Sequence, residues 1–152
     1  MIVKVVPWLS QALLVPATLL AIGIGANPAI AQCQLYNPVA LPASNEVNDS
    51  LSEKDIPTGQ GGFARDYTVQ FKEGDNVAID VSSDSFDAIL TLLAADGSTV
   101  AENDDGPGGG TNALLFTRIV KTGKYIVRVR SFGETGLGTF KLKVTRLRPV
   151  RG

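Results

Sequence analysis

The sequence predicts an all-β chain: an antiparallel β-sandwich of jelly-roll type, built as a single domain. Three observations lead there. Apolar side chains recur at every second position in several short runs, among them Tyr67-Val69-Phe71, Val77-Ile79-Val81 and Phe140-Leu142-Val144, the period of strands with one face in a core. Turn formers separate those runs, with 16 Gly and 8 Pro in 152 residues. Beyond residue 31 no stretch shows the i, i+3, i+4 pattern of an amphipathic helix. Short strands at even spacing, joined by turns, close as a sandwich or jelly roll.

Composition narrows the chemistry. Hydrophobic residues make up 44% and charged residues 19%, enough apolar material for a packed core. With His 0 there is no imidazole base for a Ser or Cys nucleophile and no His-based metal site. Cys 1 excludes an intramolecular disulfide and a thiolate metal cluster. A metal would need oxygen ligands, which favours calcium. The formal net charge of -1 predicts no polyanion partner.

Residues 1–31 read as a secretory signal peptide. Lys4 gives the positive start, Leu13 to Ala26 the apolar segment, and Ala29-Ile30-Ala31 an A-x-A cleavage site. The alternative is an uncleaved membrane anchor; Pro7, Ser10, Gln11 and Pro16 interrupt the run that a spanning helix needs. Cys33 follows Gln32 rather than a small residue, which favours a free thiol over a lipidated one. Pairing with a second chain is the other reading of a lone secreted Cys.

After the leader, residues 32–45 hold Pro38 and Pro42 without a period and read as a flexible lead-in. Asn45 to Ser50 offers side-chain oxygens at alternate and adjacent positions. It is read as a solvated turn or cap, or as part of a cation site. Leu51 to Asp55 is a short edge strand and Pro57 to Gly62 a loop. Asp66 to Phe71 and Val77 to Val81 alternate, with a turn at Glu73 to Asn76 between them. Ala88 to Leu93 is a continuous apolar run, short enough for a buried strand. Asp96-Gly97 signals a two-residue hairpin to a strand over Ser98 to Glu102. Asn103-Asp104-Asp105 then opens a glycine-rich loop. Asn112 to Ile119 is the next strand, and Lys121 to Lys124 a turn. Tyr125, Val127 and Val129 face inward from the strand after it. The last strand follows the loop Gly133 to Gly138, and residues 147–152 are a basic tail.

Charge is uneven along the chain. From Arg118 onward bases dominate, with Glu134 as the one acid. If the last two strands pair, Arg128, Arg130, Lys141 and Lys143 share an outer face. That face is read either as solvated, pairing with acids of neighbouring strands, or as a site for an anionic surface or glycan. It lacks interleaved aromatics, which argues against nucleic acid.

Asp66-Tyr67-Thr68-Val69, Gly74-Asp75-Asn76-Val77, Phe86-Asp87-Ala88-Ile89-Leu90, Asp96-Gly97, Asn103-Asp104-Asp105 and Thr122-Gly123-Lys124-Tyr125-Ile126-Val127-Arg128-Val129 together resemble the bacterial pre-peptidase C-terminal domain. The resemblance covers residues 46–146. It implies a jelly-roll sandwich of a kind usually attached to secreted peptidases. The related collagen-binding domains of bacterial collagenases bind calcium near their N-terminal linker, and Glu46, Asn48 and Asp49 match that linker's Glu-x-Asn-Asp pattern. Asp66 and Asp55 match acids on the first strands. The resemblance thus implies calcium as the one cofactor, held by Glu46, Asn48, Asp49, Asp55 and Asp66. Ser44 stands where a further Glu is common, and Pro57 to Gly62 lengthens the connection; both departures weaken such a site.

Asp87, Asn103, Asp104 and Asp105 also fall on family positions. They are expected to form a structural acidic corner whose carboxylates accept backbone N–H bonds, with a second cation site as the alternative. No positioned nucleophile appears: Ser82, Ser83 and Ser85 lie near Asp84 and Asp87, with no Lys placed beside them by the pattern. The sequence therefore predicts an exported, non-catalytic module that binds a secreted or envelope protein or polysaccharide. It would work outside the cytoplasm, with no nucleic-acid partner and no transmembrane span after cleavage. A structural component of the envelope and a peptidase-associated hydrolase are the alternatives.

Overall fold

The computed structural model describes residues 36–59, 61–133 and 136–148. The leader, Cys33 and the tail from residue 149 lie outside them. The described residues form ten strands: β1 (Val39–Ala40), β2 (Glu46–Leu51), β3 (Ile56–Pro57), β4 (Phe63–Phe71), β5 (Asn76–Ser82), β6 (Ala88–Ala94), β7 (Thr99–Asn103), β8 (Ala113–Arg118), β9 (Gly123–Ser131) and β10 (Gly138–Leu147). One sheet has the order β1-β4-β9-β6-β7, with β3 also on β4; the other has the order β2-β10-β5-β8. All pairings are antiparallel except β1 with β4. The chain is an all-β sandwich, as the alternation predicts. Among the described residues no helix is long and apolar enough to cross a membrane.

Alternation places the core. Tyr67, Val69 and Phe71 of β4 meet Val127 and Tyr125 of β9 in one layer. Val77, Ile79 and Val81 of β5 meet Leu142 and Val144 of β10 in the other. Phe140 links the layers, edge-on to Tyr67 with ring centroids 6.3 Å apart and to Phe86 at 6.1 Å, a favoured geometry for aromatic pairs. β6 is buried on both faces: Ala88, Leu90 and Leu92 join the core, while Ile89, Thr91 and Leu93 are covered on the other side. That two-sided burial is why its sequence is continuously apolar rather than alternating.

Several local expectations change. Asn45 to Ser50, read as a turn or cation segment, falls largely in strand β2 (Glu46–Leu51), because pairing with β10 overrides the turn preference of Asn, Asp and Ser. Of the edge strand expected at Leu51 to Asp55, Leu51 ends β2 and the rest is a turn, closed by Asp55 N–H on Ser52 C=O at 3.0 Å. β1 lies within the lead-in, and Leu41 N–H continues its attachment to β4 through Thr68 C=O. The Asp96-Gly97 hairpin has three loop residues, not two. Gly97 N–H bonds Ala94 C=O, Ala94 N–H bonds Ser98 C=O, and Gly97 has φ 84°, a left-handed position suited to glycine.

The largest correction concerns β9 and β10. They do not pair. β9 sits between β4 and β6, and β10 between β2 and β5, in opposite sheets. Each strand has both edges taken, so Arg128 and Arg130 cannot share a face with Lys141 and Lys143. The connections β5–β6, β7–β8 and β9–β10 all leave one end of the sandwich. They are tied there by Ala88 N–H to Thr111 C=O at 3.0 Å and Phe132 N–H to Asp87 C=O at 2.7 Å.

Candidate functional site

β2 and β4 face each other across one open side of the sandwich. In β2, Val47, Asp49 and Leu51 point inward and Glu46, Asn48 and Ser50 outward. In β4, Arg65 shares the inward parity of Tyr67 and Val69. A cation aimed at a core needs acids, and it finds two. Arg65 Nε donates to Asp49 Oδ2 at 2.8 Å, and another guanidinium nitrogen donates to Asp55 Oδ1 at 2.6 Å. The Tyr67 hydroxyl donates to the same Asp49 Oδ2 at 2.7 Å. Ser50 N–H serves Asp49 Oδ1 at 2.8 Å, and Ser52 N–H and hydroxyl serve Asp55 Oδ2 at 2.7 and 3.0 Å. Every carboxylate oxygen of this cluster has a donor.

The electrostatics follow. Burial by itself would raise the Asp49 pKa, but the Tyr67 hydroxyl, Ser50 N–H and Arg65 outweigh it and hold the carboxyl below its usual range. Burial, and then the Asp49 carboxylate, push the Tyr67 hydroxyl upward. Burial disfavours the Arg65 cation, yet Asp55 and Asp49 more than compensate and raise its pKa.

The five residues matched to a calcium linker are not gathered around one point. Asp49 and Asp55 lie in this seam. Asp66 lies on the opposite face of β4, its side chain fully buried, in a two-toothed pair with Arg128 at 2.8 and 2.9 Å. Glu46 and Asn48 point out from the other sheet, where Glu46 pairs with Lys143 at 2.9 Å and Lys141 at 3.5 Å. Among the described residues no group of three acidic, His or Cys side chains is placed to hold a metal.

The four bases divide the same way. Arg128 neutralises Asp66, and that bond, against the cost of burial, raises its pKa. Arg130 reaches Glu102 at 3.4 Å, and Glu102 also accepts from Thr91 Oγ1 at 2.7 Å. Lys141 and Lys143 share Glu46. Arg128, Lys141 and Lys143 therefore pair with acids of adjacent strands and Arg130 reaches across β6 to β7, on two separate sheet faces.

The acidic corner is held by other groups than expected. The Asn103 amide donates to Asp105 C=O and Leu114 C=O, both at 2.8 Å, and Leu114 N–H donates to Asp105 C=O at 2.9 Å. An amide carries two donors for two carbonyls; a carboxylate has none. Asp87 contributes its backbone carbonyl, while the Asp104 and Asp105 residues are exposed. Ser83 has a similar structural role. Its buried hydroxyl donates to Thr139 C=O at 2.9 Å and accepts from Ser85 and Phe86 N–H. Asn112 receives Ser83 N–H at 3.0 Å.

Above Ser83 lies an open groove of about 610 Å³. It crosses the outer face of the four-stranded sheet near the long loops. Asn48, Ser50, Ser82, Asn112, Thr139 and Lys141 line it with amide, hydroxyl and ammonium groups. Sequence reasoning did not identify this groove, since it depends on β2, β10 and β5 lying side by side. It also passed over Arg65. The available signal was an arginine in phase with three core residues of its own strand.

A model of the bacterial pre-peptidase C-terminal domain matches residues 64–131. No curated protein matches the chain. Among solved structures, the pre-peptidase C-terminal domain of a collagenase from Bacillus anthracis is 19% identical, with 72% of this chain and 93% of that one covered at a TM-score of 0.52. PliG, a periplasmic lysozyme inhibitor of g-type lysozyme from Aeromonas hydrophila, is 15% identical over 71% of this chain and 96% of that one, TM-score 0.49. These likenesses concern the fold. The family model and the fold likeness agree: residues 64–131 match the bacterial pre-peptidase C-terminal domain, and the sandwich resembles a solved domain of that kind.

Proposed function

We propose that this chain is an exported, non-catalytic binding module whose partner is a protein outside the cytoplasm. The observation that carries this reading is the polar groove over β2, β10 and β5. Its lining offers donors and acceptors at short intervals, from Asn48 and Ser50 on one strand to Thr139 and Lys141 on the next. Such a surface suits the alternating N–H and C=O groups of an extended polypeptide. Phe140, the aromatic among the groove's lining residues, is buried and offers no stacking surface there. Of Ser82, Ser83 and Ser85, Ser83 has its hydroxyl committed to loop bonds, which removes it as a nucleophile candidate. The leader pattern of residues 1–31 supports export.

The test compares the wild-type chain with Ser82→Arg, which fills the groove from β5. Both are used to capture partners from envelope extract and are applied to a glycan array. A protein retained by the wild type and lost with Ser82→Arg, at unchanged melting temperature, is expected. Capture that is indifferent to Ser82→Arg would sink the groove reading. Binding on the glycan array alone would replace the protein partner by a polysaccharide.

A further inference from the structure

The seam between β2 and β4 bears on the metal that the family resemblance implies. Three features argue that its residues do not fit calcium. First, the five candidate ligands point to three different faces: Asp49 and Asp55 into the seam, Asp66 out of the opposite face of β4, Glu46 and Asn48 out of the other sheet. Calcium needs about six to eight oxygens at about 2.3–2.6 Å, and side chains on opposite faces of one strand cannot converge. Second, the two acids that do converge are already bridged by a cation. Arg65 contacts both, at 2.8 and 2.6 Å. Third, their remaining oxygens accept from Tyr67, Ser50 and Ser52. A metal ion would have to displace a guanidinium and strip those donors.

We propose that Arg65 is the built-in cation of this seam, bridging Asp49 and Asp55 so that the two sheets close here without calcium. A guanidinium is suited to this. It is planar, always charged, and presents donors on several edges, so it can serve two carboxylates at once. A lysine is a point charge and would favour one acid. Asp49 borders both the seam and the groove, whereas Arg65 and Asp55 do not line the groove.

The test uses the full chain, melted in chelator and in millimolar calcium and titrated with calcium by calorimetry, alongside Arg65→Ser and Arg65→Lys. The wild type is expected to melt at the same temperature in both buffers and to give no binding heat. Arg65→Ser is expected to melt roughly 10 °C lower, with Arg65→Lys between the two. A wild-type melting temperature raised by calcium would overturn the proposal, as would an Arg65→Ser chain that melts with the wild type. If Arg65→Ser does not fold, Arg65→Lys and the wild-type titration still decide.

Discussion

Where β2 faces β4, the sheets are tied by long side chains carrying charge: Arg65 to Asp49 and Asp55, with Tyr67 on the same carboxylate. Where β7 faces β8, on the other open side, they are tied by neutral groups. There Asn103 and Leu114 N–H hold the Asp105 carbonyl, and Asn103 also holds the Leu114 carbonyl. The charged seam joins residues 10 to 18 positions apart in different elements. The neutral seam spans a similar separation, 11 positions from Asn103 of β7 to Leu114 of β8, but with uncharged groups. Both satisfy polar groups at a sandwich edge, but only the charged seam is built from titratable side chains. The difference shows that the two sides of one fold can have the same architecture and opposite sensitivities.

The sharpest way to break the comparison is to remove the central group of each seam. Asp49→Ala takes the acceptor from Arg65, from the Tyr67 hydroxyl and from Ser50 N–H. Losing bonds to a charged group and leaving a buried hydroxyl unpaired costs about 3 kcal/mol, after allowing for the partial exposure of the ion pair. Asn103→Ala removes two neutral bonds to backbone carbonyls and costs about 1.5 kcal/mol. Thermal melts should therefore rank Asp49→Ala well below Asn103→Ala, each kcal/mol moving the midpoint by about 4–8 °C. The reverse order would mean that the neutral seam, not the ion cluster, holds the edge.

pH separates the seams further. Asp49 is more acidic folded than its ordinary value of 3.8, so its contribution is complete above that value and is lost as pH falls below it. Tyr67 is less acidic folded than its ordinary value of 10.0. Its contribution is complete below pH 10 and is lost as pH rises further. The gap in melting temperature between wild type and Asp49→Ala should therefore narrow at both extremes. The gap for Asn103→Ala should stay level, because an amide does not titrate. A level gap for Asp49→Ala from pH 3 to pH 11 would remove the electrostatic account.

What could be read from the sequence follows the same division. Alternation exposed β4, β5, β9 and β10, because each has one face in the core. It also showed which side chains turn inward on them. It did not expose partners. Asp66 and Arg128 are 62 positions apart, and their meeting depends on the β4–β9 register, which no local pattern encodes. Sequential strands usually lie side by side, which leaves pairing of β9 with β10 open from the sequence; β4 and β6 leave β9 no free edge. β2 was hidden by its turn-forming residues. Arg65 was legible in principle, since its phase within β4 put a charge in a core row.

Lys143→Ala gives the smallest expected effect and tests the rule behind the ranking. Lys143 lies 2.9 Å from Glu46, almost the 2.8 Å of Arg65 and Asp49. It lowers the Glu46 pKa, first through their hydrogen bond and with Lys141 adding to the effect. By distance alone the two pairs are equal. They differ in exposure: the Lys143 side chain is 52% exposed and that of Glu46 39%, against 29% and 25% in the seam. Water and salt screen the outer pair, and holding two long side chains together costs entropy. Lys141 also remains near Glu46 when Lys143 is gone. Lys143→Ala should therefore melt with the wild type, within about 1 °C. A fall comparable to that of Asn103→Ala would show that contact distance, rather than removal from solvent, decides which ion pairs hold this sandwich together.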